Sequence, residues 1–189
     1  MKFRPWKAHI QLGLAGLASF VFLATLKFWS VQSNPDFARG IFTRPEDLVK
    51  FFGQSDMGSY LRLAMDFARL EVTGENLWII NLWPPGQSIL ATLGVFFGDY
   101  FLIVYISLVT IIWCIPSFIL FTASVFSRAT QSSRRVQLAA GVFWILNPIS
   151  LEFNLSPTGM FASDSQGIAF LATAATLIVC KPGSQDSLT

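Results

Sequence analysis

Residues 100–126 run without a single charged side chain. As a helix this stretch rises about 40 Å at about 1.5 Å per residue, enough to cross a hydrocarbon core about 30 Å thick with some tilt. A helix apolar on every side has to be surrounded by protein or by lipid, and a chain this short has little protein to spare. Composition favours lipid: of 189 residues, 53% are hydrophobic and only 13% charged, where a soluble domain carries about 25% charged residues. The 19 Phe and six Trp suit a bilayer core and its interface. A formal charge of +2, with no basic stripe, gives no footing for nucleic acid as a partner. Cys114 and Cys180 lie far apart in apolar segments, and His9 is the one histidine. That leaves no disulfide framework, zinc motif or Ser-His-Asp set.

Three further segments read as spans. Residues 10–26 are uncharged and follow Lys2, Arg4 and Lys7. This run is longer than a signal-peptide core and lacks an obvious cleavage site, so it reads as an uncleaved first span ending near Trp29. Residues 136–151 form a shorter candidate ending near Asn147-Pro148, and residues 162–180 another, with Asp164 near its start. Pro116 predicts a kink in the 100–126 helix. The expected fold is thus an all-α membrane protein, a single membrane domain over 1–189. Its spans lie at about 9–30, 100–126, 136–151 and 162–180, and a structured extracytoplasmic loop covers 31–99.

Charge orients the spans. Lys2, Arg4, Lys7, Arg128, Arg134, Arg135 and Lys181 flank them on one side, against the single acid Asp186. The 36–99 stretch holds five cations and eight acids, a net of 5 − 8 = −3. The positive-inside rule puts both termini and the 128–135 turn in the cytoplasm, with the long loop outside.

That loop is too aromatic for disorder. Thr43-Arg44-Pro45-Glu46 has capping-box spacing and opens a short helix that Gly53 can close. Residues 57–70 form a second helical pattern, which Gly74 ends. Tyr60, Leu63, Ala64, Phe67 and Leu70 fall on one face, with Arg62, Asp66 and Arg69 opposite. Such a helix would lie flat on the membrane, apolar side down, as an amphipathic juxtamembrane element. Trp83-Pro84-Pro85-Gly86 forces a bend before a short apolar helix at 87–97. Trp78 and Trp83 suit interfacial anchoring.

The order of these features carries a resemblance. Asp56-Met57-Gly58-Ser59-Tyr60-Leu61 opens the outer loop, followed by Trp83-Pro84-Pro85-Gly86, a Gly98-Asp99 break and a long span. Then come a basic turn with Arg134-Arg135, a span ending in Asn147-Pro148, and Ser163-Asp164. The series, over roughly residues 9–180, resembles the N-terminal part of the GT-C glycosyltransferases. Within them it is most like the protein mannosyltransferases and the bacterial enzymes that decorate lipid A or cell-wall glycans. The resemblance implies a polytopic enzyme that transfers a sugar from a lipid-linked donor, a polyprenyl-phosphate sugar, on the extracytoplasmic face; a bacterial inner membrane is the default location.

It also assigns residues. Asp56 matches the family's general base, although an Asp there also serves as a plain helix cap, and the two readings weigh equally. Asp164 matches an acid that some relatives use to bind donor phosphate or a divalent metal ion, the only cofactor in view; capping of the last span is favoured for it. Arg62 is a candidate for the donor phosphate and Tyr60 a candidate substrate contact. For Arg62 the alternative is an intrahelical pair with Asp66, a pairing favoured for Arg69.

The family has roughly twice these spans or more. The chain therefore reads as a truncated product, as one half completed by a second membrane chain, or as a short noncatalytic relative. A noncatalytic membrane scaffold or assembly subunit, using the loop as a binding face, is the rival from another class. A transporter fits less well, since the spans at 100–126 and 136–151 hold no ionisable group.

Overall fold

The computed structural model describes residues 5–33, 44–71, 74, 86–126, 130–156 and 163–180. Within them the chain is helical, in the order α1 (Pro5–Ser33), α2 (Pro45–Phe52), α3 (Asp56–Ala68), α4 (Gly86–Val95), a 3-10 turn (Gly98–Tyr100), α5 (Phe101–Phe126), α6 (Gln131–Leu146), α7 (Pro148–Leu155) and α8 (Ser163–Val179).

Among the described residues, three segments are long and apolar enough to cross a membrane: His9–Ser33, Gly98–Phe126 and Gln131–Leu155. The apolar part of α8, Ser165–Val179, rises only about 22 Å at about 1.5 Å per residue, short of a core about 30 Å thick. The surfaces agree with lipid as solvent. Leu14, Val136, Phe143, Leu171, Ile178 and Val179 stand largely exposed, an apolar surface that water would penalise heavily.

α5 is the hub. Its buried positions, Leu102, Tyr105, Ile106, Val109, Trp113, Ser117, Leu120 and Ser124, recur every three or four residues and so form a stripe that α1, α6 and α8 cover. Two of its contacts with α6 are polar. Ser117 Oγ donates to the Gly141 carbonyl at 2.8 Å, and Trp144 Nε1 donates to the Trp113 carbonyl at 2.8 Å. The Trp113 and Trp144 rings stack 5.0 Å apart at 19°. Other hydroxyls in the apolar helices turn back on their own backbone: Ser107, Thr110 and Thr122 each bond a carbonyl one turn earlier. Lipid offers no alternative partner, so these bonds satisfy polar groups that would otherwise be orphaned. Trp144→Phe keeps the ring and deletes the interhelical bond. It is expected to lower the thermal stability of the detergent-solubilised chain by about 1 kcal/mol or less, the usual size of such bonds in membranes. A circular-dichroism melt reads the difference.

The segment expected at 136–151 as one helix is two. Asn147 is extended (φ −67°, ψ 151°), ends α6 and begins α7. Pro148 explains this, because a proline ring drives the residue before it out of the helical region. The Asn147 side chain then caps α7, its Oδ1 accepting the Ser150 N–H at 2.8 Å. α5 runs on through Pro116.

The segment 44–71 differs from the sequence picture in its packing. The α3 face that the periodicity lays on the membrane is packed against protein, between α2 and α4. Tyr60, Leu61, Leu63 and Ala64 are all at or below 3% exposure, while Leu70, expected on that face, is 93% exposed. α3 stops at Ala68, and Leu70 takes a left-handed conformation (φ 56°), so the helix ends before Gly74. Asp66, expected on the solvent side, is buried. Two neighbours, rather than one flat bilayer, bury more than one stripe of α3. Thr43 lies outside the described residues, and the N-cap of α2 is Arg44, with Pro45 in the first turn.

Candidate functional site

The α2–α3 corner is built tightly. Gly53 ends α2 at φ +55°, ψ −125°, a conformation open to glycine and strained for other residues. Ser55 then caps α3, its Oγ accepting the Gly58 N–H at 3.4 Å. Asp56 is therefore the first residue of α3 and not its cap, which removes the capping role the sequence allowed it. Its side chain is exposed. The corner presents one carboxylate to solvent at the start of a helix whose other side is locked into the protein.

Arg62 is what locks it. Its Nη1 donates to the Gly53 carbonyl at 2.8 Å, and its Nη2 donates to Gln54 Oε1 at 3.4 Å and Ser59 Oγ at 3.2 Å. Two of these bonds hold the Gly53–Gln54 turn that leads to Asp56, and the third returns to Ser59 on α3. Arg62 thus braces the turn that leads into α3; the sequence left it open between a phosphate ligand and a partner of Asp66. Tyr60 is 3% exposed and sits in the packed face of α3, beneath the corner. The side chain of Asp164 lies outside the described residues, as do Trp78 and Trp83.

At the other end of α2, Arg44 pairs with Asp99 of the 3-10 turn, joining this unit to the entrance of α5. Its hydrogen bond to the Asp99 carboxylate holds the Arg44 guanidinium above its ordinary pKa. Both side chains are more than half exposed, so the pair orients and adds little stability.

α3 packs on α4, and α4 with α8 walls a cavity of about 730 Å³. Ile89, Leu90, Leu93, Ile168, Phe170 and Leu171 line it, and Gln87 and Gln166 are its polar members. Both amides hydrogen-bond with the hydroxyl of Tyr105 on α5, which is fully buried. The result is an apolar slot with a fixed polar end, a volume and character that suit a chain-like amphiphile. Among the described residues no three His, Cys, Asp or Glu side chains converge.

Sequence reasoning missed Gln87, Tyr105 and Gln166, and also Lys27 of α1. Gln87 and Gln166 look like ordinary polar residues near helix ends, and only the fold brings them to one tyrosine. Lys27 was the legible one: it is the single Lys or Arg within the apolar span His9–Ser33, and it is fully buried. No protein-family model, curated protein or solved structure matches this chain. The site has to be judged by its own chemistry.

Proposed function

We propose that this chain is a membrane-embedded glycosyltransferase of the GT-C kind, or a part of one, acting on the extracytoplasmic face of a bacterial inner membrane. The observation that carries the reading is the exposed Asp56 carboxylate on a braced corner, packed through α3 and α4 against an apolar slot. In the reaction, Asp56 takes the proton of the acceptor hydroxyl. The acceptor oxygen attacks the anomeric carbon, the bond to the carrier phosphate breaks, and polyprenyl phosphate leaves with the electron pair. A polyprenyl chain fits the α4–α8 slot by its shape and apolar lining. Both termini are cytoplasmic on this reading, α8 completing a fourth crossing with the help of flanking residues and neighbouring helices. A second membrane chain would supply further walls of the site.

The test is sugar transfer in membranes that express the chain, supplied with radiolabelled polyprenyl-phosphate hexose or pentose. Label is expected to leave the carrier only when the chain is present. If the chain inserts and purifies as a single species, yet no label moves with any donor or with a co-expressed partner, the transferase reading is wrong.

A further inference from the structure

Lys27 lies about 9 Å below the outer end of α1, at about 1.5 Å per residue from Ser33, and is 0% exposed. It cannot snorkel to water from there, and an ionisable group held inside a membrane segment usually has a task. Its Nζ donates to Asn154 Oδ1 on α7. One turn further along the same face of α1, Ser30 Oγ donates to the Leu155 carbonyl. Leu155 is the last residue of α7, so its carbonyl is one of those a helix leaves without an internal partner. Asn154 is fixed in turn, its Nδ2 donating to the Ser150 carbonyl at 2.6 Å and to Ser150 Oγ at 3.3 Å. Asn154 and Ser150 are both 0% exposed. α1 therefore grips the end of α7 at two points.

This grip acts on a short lever. α7 has eight residues and starts from the extended Asn147, so its own backbone does little to fix where its far end lies. From that end the chain runs through residues 157–162 to α8, which carries Asp164 and the slot residue Gln166. An apolar contact would pack these helices without burying an ammonium group; the hydrogen-bonded pair adds direction and register. We propose that Lys27, together with Ser30, is a positioning residue. It clamps the end of α7 to α1 and so sets the point from which the chain continues to α8 and the slot residue Gln166. Only its effect on turnover rests on the transferase reading.

The clamp is tested by pulsed EPR distances in liposomes, on a chain with Cys114→Ala and Cys180→Ser. Spin labels are placed at Trp29→Cys on α1 and Glu152→Cys on α7, both exposed positions. The parent is expected to give one narrow distance distribution. Lys27→Met and Asn154→Leu should each broaden it into several components. Asn154→Asp, which keeps an acceptor for the ammonium, should stay narrow. In the transfer assay, Lys27→Met should lower turnover about 100-fold, the scale expected when a reacting group is misplaced by about 1 Å, and Asn154→Asp should retain it.

A narrow distribution in Lys27→Met overturns the clamp. So does failure of both Lys27→Met and Asn154→Leu to give a single folded species, which would make the pair a structural requirement. Broadening with full turnover would overturn the link to the site. If the parent transfers no sugar, the distances still decide the clamp, so the two failures are separable.

Discussion

Replacing Asp56 by Asn is expected to lower sugar transfer by about 10²–10⁴-fold, the span general-base catalysis contributes, while the protein folds and inserts as before. The prediction is sharp because the structure leaves this side chain exposed and outside the helix cap. Ser55, not Asp56, caps α3, and the Asp56 side chain is exposed, so the amide removes no cap and leaves no cavity. It removes the capacity to accept a proton. Uniform binding of the acceptor should survive, so the loss should fall on turnover more than on KM. Initial rates of label transfer, with size-exclusion profiles and melts of both proteins, make the measurement. A variant within threefold of the parent would favour the scaffold alternative, in which the corner is a binding face and one exposed carboxylate is dispensable.

The membrane character was readable because it follows from composition along short stretches. Residues 100–126 and 10–26 have few options besides a bilayer, and α5 and α1 occupy them. The break at Asn147 was half-readable: Pro148 announces a boundary, but whether a helix stops or restarts there depends on the cap that Asn147 supplies. The face of α3 was misread because periodicity assumes one apolar neighbour, and α3 has α2 on one side and α4 on another. That is why Leu61 and Asp66 are buried while Leu70 points outward. Asp56 was singled out from its place in an ordered series, yet the brace on its corner was not foreseen. The Arg62 guanidinium reaches back nine residues to Gly53, a contact that neither helical spacing nor charge pairing suggests. Gln87, Tyr105 and Gln166 come from three helices, and Lys27 meets a residue 127 positions away. Such meetings are products of packing, and no local pattern encodes them.

Gly58→Ala should show how strongly the corner depends on close packing. Two effects oppose each other. Alanine in place of glycine inside a helix contributes about 1 kcal/mol through backbone entropy. Against this, a Cβ on residue 58 would stand 2.3 Å from the Gly53 carbonyl oxygen, 3.2 Å from its carbon and 3.4 Å from the carbonyl carbon of Phe52. All three are backbone atoms, so no side chain can swing aside, and relief requires moving α3 away from the end of α2. Overpacking of this kind costs about 1–3 kcal/mol, occasionally more, and a rigid contact puts it at the upper end. The net expectation is a loss of about 2 kcal/mol. The shift is also directional: it pushes on the carbonyl that Arg62 holds and on the residue whose N–H Ser55 caps. Asp56 lies between them, so transfer should fall by more than the stability loss explains, even well below the melting temperature, where nearly all of the protein is folded. Gly74→Ala is a matched control, because its added Cβ meets nothing within 4 Å. Melts and transfer rates of the two variants side by side give the answer. A Gly58→Ala protein as stable and active as the Gly74→Ala one would mean that the α2–α3 corner yields without cost, and that its geometry does not set the position of Asp56.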